Sequence, residues 1–161
     1  MAIRPSFLTI WSKFIEIYGD GTITSVGEKI GGKVEQNIKL GLTNPDAGFT
    51  NACAIRMSYA LNYSGVTITR GSWATVSGTD KKWYIYRVRD LRRFLVSSFG
   101  EPDVVKTTPA SSDFAKLKGI IIFSVAGWSD ATGHASIWDG DKCSDTCHFP
   151  LSTEVSLWTL E

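Results

Sequence analysis

The chain has 161 residues, 43% of them hydrophobic, and a formal net charge of +1 at neutral pH. This length predicts a single domain over residues 1–161, large enough to build its own core. The balanced charge provides no basic surface for nucleic acid, and no apolar run reaches the roughly 20 residues that a membrane span needs. We therefore expect neither nucleic-acid binding nor membrane insertion.

Apolar residues at helical spacing predict a first helix over residues 7–18, with Pro5 near its start and Gly19 just after it. The apolar stretch of this helix meets Lys13 too early for a Sec signal, and no small-residue cleavage site follows it. We expect synthesis in a cytoplasm without a Sec address. The Gly-rich region from Gly19 to Gly48 is interpreted as loops with a short element.

A second helix is predicted over about residues 51–62, with Thr50 as its N-cap and Gly65 beyond its end. Cys53 then lies on the first turn, where unpaired N–H groups and the positive end of the helix dipole favour a thiolate. The thiolate is the nucleophilic form of cysteine. The alternative is a structural cysteine that is buried at a helix start.

The second half of the chain is rich in strand patterns. Asp90 is predicted to open a further helix that stops at Gly100. Strands are predicted over residues 82–86, 119–125, 133–138 and 155–160. Helices followed by an antiparallel sheet predict an α+β domain in which the Cys53 helix packs on the sheet that carries His134.

His134 enters the strand after Gly133 and is the candidate base for Cys53. The base needs an orienting carboxylate, for which Asp139, Asp141 and Asp145 are candidates. Strand alternation turns Asp139 away from the face of His134, whereas Asp145 lies past a turn that can return alongside it. We prefer Asp145, with Asp139 second.

Residues around this pair are candidates for holding the substrate. The amide N–H of Cys53 is the first expected oxyanion donor, and the Asn51 side chain is the second, with helix capping as its alternative role. Trp128 and Trp138 flank His134 and are expected to wall a groove, although core packing is the alternative for at least one of them. The positions Arg56, Arg70 and Lys82 stay open as cations for substrate carboxylates.

The remaining cysteines, Cys143 and Cys147, lie four residues apart in a polar loop. A local disulfide with a free Cys53 fits the count and implies work in an oxidising compartment. Two reduced thiols, or a zinc site that adds His148, are the alternatives, although the zinc site lacks a second ligand pair. A disulfide would pin the loop that carries Asp145.

Five segments resemble the fourth group of type VI secretion amidase effectors, whose members have a papain-like, NlpC/P60-type fold. They are residues 4–7, 32–37, 51–58, 133–140 and 157–158, so that the resemblance covers nearly the whole chain. It implies a peptidoglycan amidase that is injected into the periplasm of rival Gram-negative cells. Family members hydrolyse the bond between D-glutamate and meso-diaminopimelate in the stem peptide.

The resemblance also implies the site and the partners. Cys53 would be the nucleophile, His134 the base and Asp145 the third member, and a loop disulfide fits Cys143 and Cys147. No metal or organic cofactor is expected. A cognate immunity protein would plug the groove, and delivery by the type VI machinery would explain the absence of a Sec signal.

One position departs from the family. The family often has an acidic residue two positions after the histidine, where this chain has Ser136. We expect Ser136 to contact substrate, so that this departure bears on the detailed specificity.

Two other functions fit the same residues. A thiol transferase would form the same acyl-enzyme and pass it to an amine in place of water. A cell-wall or partner-binding module would use the aromatic side chains as its recognition surface and keep Cys53 in the core.

Overall fold

The computed structural model describes residues 3–126 and 133–161. The helices in this part of the chain are α1 (Phe7–Tyr18), α2 (Ile23–Ile30), α3 (Gly32–Thr43), α4 (Cys53–Asn62) and α5 (Val88–Phe99). The strands are β1 (Thr75–Ser77), β2 (Trp83–Ile85), β3 (Val104–Thr107), β4 (Gly119–Ser124), β5 (Gly133–Trp138) and β6 (Glu154–Thr159). Short 3-10 helices occupy Ser111–Phe114 and Phe149–Leu151. No helix in these ranges is both long and apolar enough to cross a membrane.

The main sheet has four antiparallel strands in the order β3–β6–β4–β5, and β1 and β2 form a separate hairpin. The register of β4 and β5 sets Phe123 opposite His134 and Ile121 opposite Ser136. The predicted α+β architecture is confirmed, and β5 has the predicted bounds. Helix α5 begins at Val88, two residues before the predicted start.

Both faces of the sheet are covered, which explains the continuous apolar run of β4. Ile120 and Ile122 face α1, α4 and α5, in the same cluster as Cys53. Ile121 and Phe123 point to the opposite face and pack with aromatic residues of the 3-10 helices. Strand β5 therefore lies between the helical layer and a second core at one edge of the sheet.

The Gly-rich region of residues 19–48 was wrongly interpreted as mainly loops, because it contains α2 and α3. Thr22 caps α2 by accepting the Ser25 N–H at 3.2 Å. Gly31 and Gly32 have φ of 68° and 60°, a conformation that glycine adopts at little cost, so they turn the chain between the two helices. The apolar side chains at helical spacing are buried in one cluster: Val26, Ile30, Val34 and Ile38.

Candidate active site

Helix α4 starts at Cys53 itself, and the cap differs from the predicted one. Ala52 occupies the N-cap position, and the Cys53 N–H donates to Asn51 Oδ1 at 2.9 Å. Thr50 is therefore not the N-cap residue, because it lies two positions before Ala52. Cys53 is a free thiol that is only 2% exposed, so the candidate nucleophile is enclosed rather than open to solvent.

His134, at the start of β5, joins Cys53 to Asp145. Its Nε2 lies 2.9 Å from Asp145 Oδ2, and the two side chains are 11% and 4% exposed. This is an ion-pair contact in which the ring N–H is poorly aligned with the oxygen. Cys53 lies close enough to the imidazole to raise its pKa. Because Nε2 faces the carboxylate, Nδ1 is the nitrogen left for the thiol.

The environment of His134 favours its protonated form. Burial lowers the pKa of the imidazole, but contact with Asp145 and Cys53, and their negative charges, outweigh that effect. The pKa of His134 is raised to about 9. The ring therefore carries a proton at neutral pH and is able to donate it.

A tight loop brings Asp145 to His134. Asp139 Oδ1 accepts the backbone N–H groups of Asp141 and Lys142 at 2.8 and 2.7 Å, which turns the chain back along β5. Asp139, the second-choice carboxylate, is thus used in the turn. Asp141 is at the exposed tip of the same turn.

Cys143 and Cys147 form a disulfide, with Cα atoms 5.5 Å apart, as expected. The two alternatives, reduced thiols and a zinc site with His148, are wrong for these residues because each sulfur is bonded to the other. Within residues 3–126 and 133–161 no group of three His, Cys, Asp or Glu side chains is arranged to hold a metal ion.

Two of the expected substrate contacts are corrected. Ser136 is fully buried and donates its hydroxyl to Asp145 Oδ1 at 2.6 Å, so it faces the carboxylate instead of a substrate. Trp138 is 1% exposed and donates its indole N–H to the Phe114 carbonyl at 3.0 Å, as a core residue does. Trp128 lies outside the described residues.

The expected oxyanion donors are also arranged differently. The Cys53 N–H is already occupied by Asn51 Oδ1, and the same contact makes the Asn51 side chain an acceptor. An incoming oxyanion would have to displace this bond to use the Cys53 N–H.

A groove of about 480 Å³, not expected from the sequence, is lined in part by Asn51, the residue that accepts the Cys53 N–H. Phe49 and Tyr86 stack in its wall with ring centroids 4.6 Å apart. The guanidinium of Arg87 lies 5.1 Å from the Tyr86 ring centroid and is exposed on the same groove. The signal that could have indicated Arg87 is its position directly after the predicted strand of residues 82–86. In the structure it is the N-cap residue of α5.

The three cations considered from sequence lie elsewhere. Arg56 stacks 5.1 Å from the Tyr18 ring and donates to the Gly21 carbonyl, which makes it a support of the α1–α2 loop. Arg70 stacks on Trp83 and Lys82 on Tyr63.

A thiol, an imidazole and a carboxylate in contact in this order are the groups with which thiol hydrolases and acyltransferases form and resolve acyl-enzymes. Comparison with known proteins narrows this class. The family model described as type VI secretion system (T6SS), amidase effector protein 4, Tae4, matches residues 49–158. The chain belongs to this family of amidase effectors. No curated protein sequence matches it.

Solved structures agree with the family over the full chain. Tae4 from Enterobacter cloacae is 42% identical, with a TM-score of 0.89 and all of both chains covered. Tae4 from Salmonella typhimurium, in complex with the immunity protein Tai4 from Enterobacter cloacae, is 41% identical with a TM-score of 0.89 and covers 98% of this chain and 100% of its own. The papain-like, NlpC/P60-type α+β fold is confirmed.

Proposed function

We propose that the chain is a cysteine amidase that hydrolyses the D-glutamate–meso-diaminopimelate bond of peptidoglycan stem peptides. The observation that carries the proposal is the contact of Cys53, His134 and Asp145 at the start of α4 and β5. Membership of a family of amidase effectors supports the reaction type.

In the first half of the reaction, Cys53 Sγ attacks the carbonyl carbon of the scissile amide. The tetrahedral intermediate collapses as His134 gives its proton to the leaving diaminopimelate amine, which leaves a thioester on Cys53. A pKa of about 9 suits His134 to this step, because the ring is protonated before the substrate arrives.

In the second half, neutral His134 takes a proton from water, and the resulting hydroxide attacks the thioester. Collapse releases the D-glutamate carboxylate and returns the sulfur to its starting state. Asp145 orients the ring throughout, so that Nδ1 faces the sulfur and the imidazolium is stabilised.

The oxyanion is held by the Cys53 N–H and by the Asn51 side-chain amide. As the substrate carbonyl becomes negative, it replaces Asn51 Oδ1 as the acceptor of the Cys53 N–H. The Asn51 side chain then turns its amide N–H toward the oxyanion. The present hydrogen bond is thus the resting form of the oxyanion site.

The groove beside Asn51 is the approach path of the stem peptide. Its exposed guanidinium, on Arg87, suits a carboxylate because it presents paired N–H donors to two oxygens. The stacked rings of Phe49 and Tyr86 form an apolar floor for the peptide. We assign a stem-peptide carboxylate to Arg87.

The site of action and the partner follow from the same proposal. Peptidoglycan lies in the periplasm, so we propose that the effector acts in the periplasm of the target cell. The relatives from Enterobacter cloacae and Salmonella typhimurium form complexes with the immunity protein Tai4. We propose that a cognate immunity protein binds this chain in the same way.

Digestion of purified Gram-negative peptidoglycan tests the function. Wild type should release fragments with a free diaminopimelate amine, identified by mass, whereas Cys53→Ala should release none. Equal digestion by both proteins would overturn the cysteine mechanism. An added amine separates hydrolysis from transfer, because a transferase would attach it to the D-glutamate carbonyl and hydrolysis would leave a carboxylate.

A further inference from the structure

The carboxylate of Asp145 bridges two positions of one strand. His134 and Ser136 are two residues apart on β5, so their side chains point to the same face, roughly 6.6 Å apart along the strand. Asp145 Oδ2 lies 2.9 Å from His134 Nε2. Asp145 Oδ1 accepts a hydrogen bond from Ser136 Oγ at 2.6 Å. Both carboxylate oxygens therefore contact side chains of β5, and the Asp145 side chain is 4% exposed.

The residue before it, Ser144, ties the loop to the same strand. Its backbone N–H donates to the Ile137 carbonyl at 2.8 Å, and its Oγ accepts the Ile137 N–H at 3.1 Å. Ser144 therefore continues the ladder at the edge of β5, and its Oγ also lies 3.1 Å from Ser136 Oγ. Both serines are buried, with exposures of 0% and 8%.

The direction of these hydrogen bonds follows from the number of protons that each hydroxyl can donate. A serine has one O–H to donate. An ionised carboxylate only accepts, so the Ser136 proton is directed to Asp145 Oδ1. The Ser144 hydroxyl must then donate to Ser136 Oγ while it accepts from the Ile137 N–H. The order is Ile137 N–H, Ser144 O–H, Ser136 O–H and Asp145 Oδ1.

We propose that Ser136 and Ser144 form a buried hydroxyl relay that positions Asp145, and through it His134, for catalysis. The relay rests on the proposed function, because it acts on the carboxylate that orients the base. It anchors one carboxylate oxygen to a backbone amide of β5, the strand that carries His134. The carboxylate thus cannot rotate about its own axis without losing a short buried hydrogen bond.

The titratable groups that face the imidazole come from each neighbouring element. Cys53 faces it from α4, Asp145 from the disulfide loop, and His148 from the residue after that loop. The relay touches only Asp145 among these. Its effect should therefore pass through the carboxylate and leave the thiol and the second imidazole unchanged.

Steady-state digestion of a soluble stem peptide by the full chain tests the relay. Ser136→Ala should lower kcat about tenfold to a hundredfold with little change in KM, because a small misplacement of a catalytic group has an effect of this size. Ser144→Ala should lower kcat less, since Ser136 keeps its own proton for Asp145. The matched control is Ser156→Ala, a serine on β6 that is 1% exposed and outside the relay, which should keep wild-type kcat.

A double-mutant cycle separates positioning from general stability. In an Asp145→Asn background, Ser136→Ala should have no further effect on kcat, because the group it positions is already lost. Equal losses in both backgrounds, or an unchanged kcat in folded Ser136→Ala and Ser144→Ala, would overturn the relay. These outcomes differ from failure of the proposed function, in which Cys53→Ala would digest as well as wild type.

Discussion

His134 and His148 meet edge to face, with ring centroids 4.7 Å apart and ring planes at 75°. Burial lowers the pKa of His148, and the positive charge of His134 lowers it further, against an opposing effect of Asp145. The two imidazoles therefore hold opposite protonation states at neutral pH. From the sequence, His148 is only a possible zinc ligand, because it directly follows Cys147.

This pair predicts a stability maximum near pH 6.5. The folded pKa of His134 is raised from 6.5 to about 9, so its contribution to the free energy of unfolding is complete below pH 6.5 and is lost as the pH rises to about 9. The folded pKa of His148 is lowered, so its contribution is present above pH 6.5 and is lost as the pH falls.

Chemical denaturation over the pH range checks this. His148→Phe, which keeps an aromatic ring against His134, should reduce the loss of unfolding free energy as the pH falls below 6.5 and leave the alkaline loss unchanged. Carboxylates titrate mainly at lower pH, near about 4. A variant whose acid loss equals that of wild type would contradict the assignment.

Alkylation of Cys53 separates a nucleophile from a core cysteine. The chain has three cysteines and two are bridged, so iodoacetamide has one target. Because a thiolate paired with an imidazolium is far more reactive than a thiol, wild type at neutral pH should react roughly ten times faster than His134→Ala. The measurement is the rate of single carbamidomethylation by mass. If both proteins reacted only as fast as they unfold, the 2% exposure of Cys53 would mark a core residue.

The choice of orienting carboxylate is tested by a matched pair of variants. Asp145→Asn should lower kcat about a thousandfold, because the amide does not stabilise the imidazolium and favours the wrong tautomer. Asp139→Asn keeps the carbonyl oxygen that closes the turn, so kcat should stay within about twofold of wild type. Equal losses in the two variants would count against Asp145 as the orienting residue.

Breaking the Cys143–Cys147 bridge should lower activity in a variant that stays folded. A loop this short constrains little unfolded-state entropy, so the double Cys→Ser variant should lose only about 2 kcal/mol of unfolding free energy. The loss of kcat should be about tenfold or more, because Asp145 lies inside the bridged loop. Peptide digestion and denaturation of the same sample provide both values. Full activity in the folded variant would mean that Asp145 does not depend on the bridge.

Arg87, the N-cap residue of α5, is tested against Arg89 on that helix. Arg87→Gln should raise KM about tenfold, the effect of losing a charge-assisted pair of hydrogen bonds, with a smaller change in kcat. Arg89→Gln removes the same charge from a side chain that is 68% exposed and near Asp90, and should leave KM unchanged. A stem peptide with amidated carboxylates should bind wild type and Arg87→Gln equally. A persistent difference with that peptide would argue against a carboxylate at Arg87.

The sequence was sufficient for the elements that carry the candidate site and for the residue types in it. Hydrophobic period locates the bounds of β5 and places the α4 start within two residues because it is a local property of the chain, whereas the predicted Thr50 cap was wrong. The position of Asp145 beyond a turn was predictable for the same reason. Glycine content was misleading at α2 and α3. Buried residues at helical spacing determined both helices, and Gly31 and Gly32 form the turn between them.

The tertiary structure decided what each side chain faces. Strand alternation places Ser136 on the same face of β5 as His134. Only the packing of the Ser144–Asp145 segment against β5 buries Ser136 and makes it a hydrogen-bond partner of Asp145. The enclosure of Cys53 and the Arg87 groove likewise depend on elements distant in sequence. The physical reason is that a local period sets the direction of a side chain relative to its own strand or helix. The neighbour that covers it is set by packing across the whole domain.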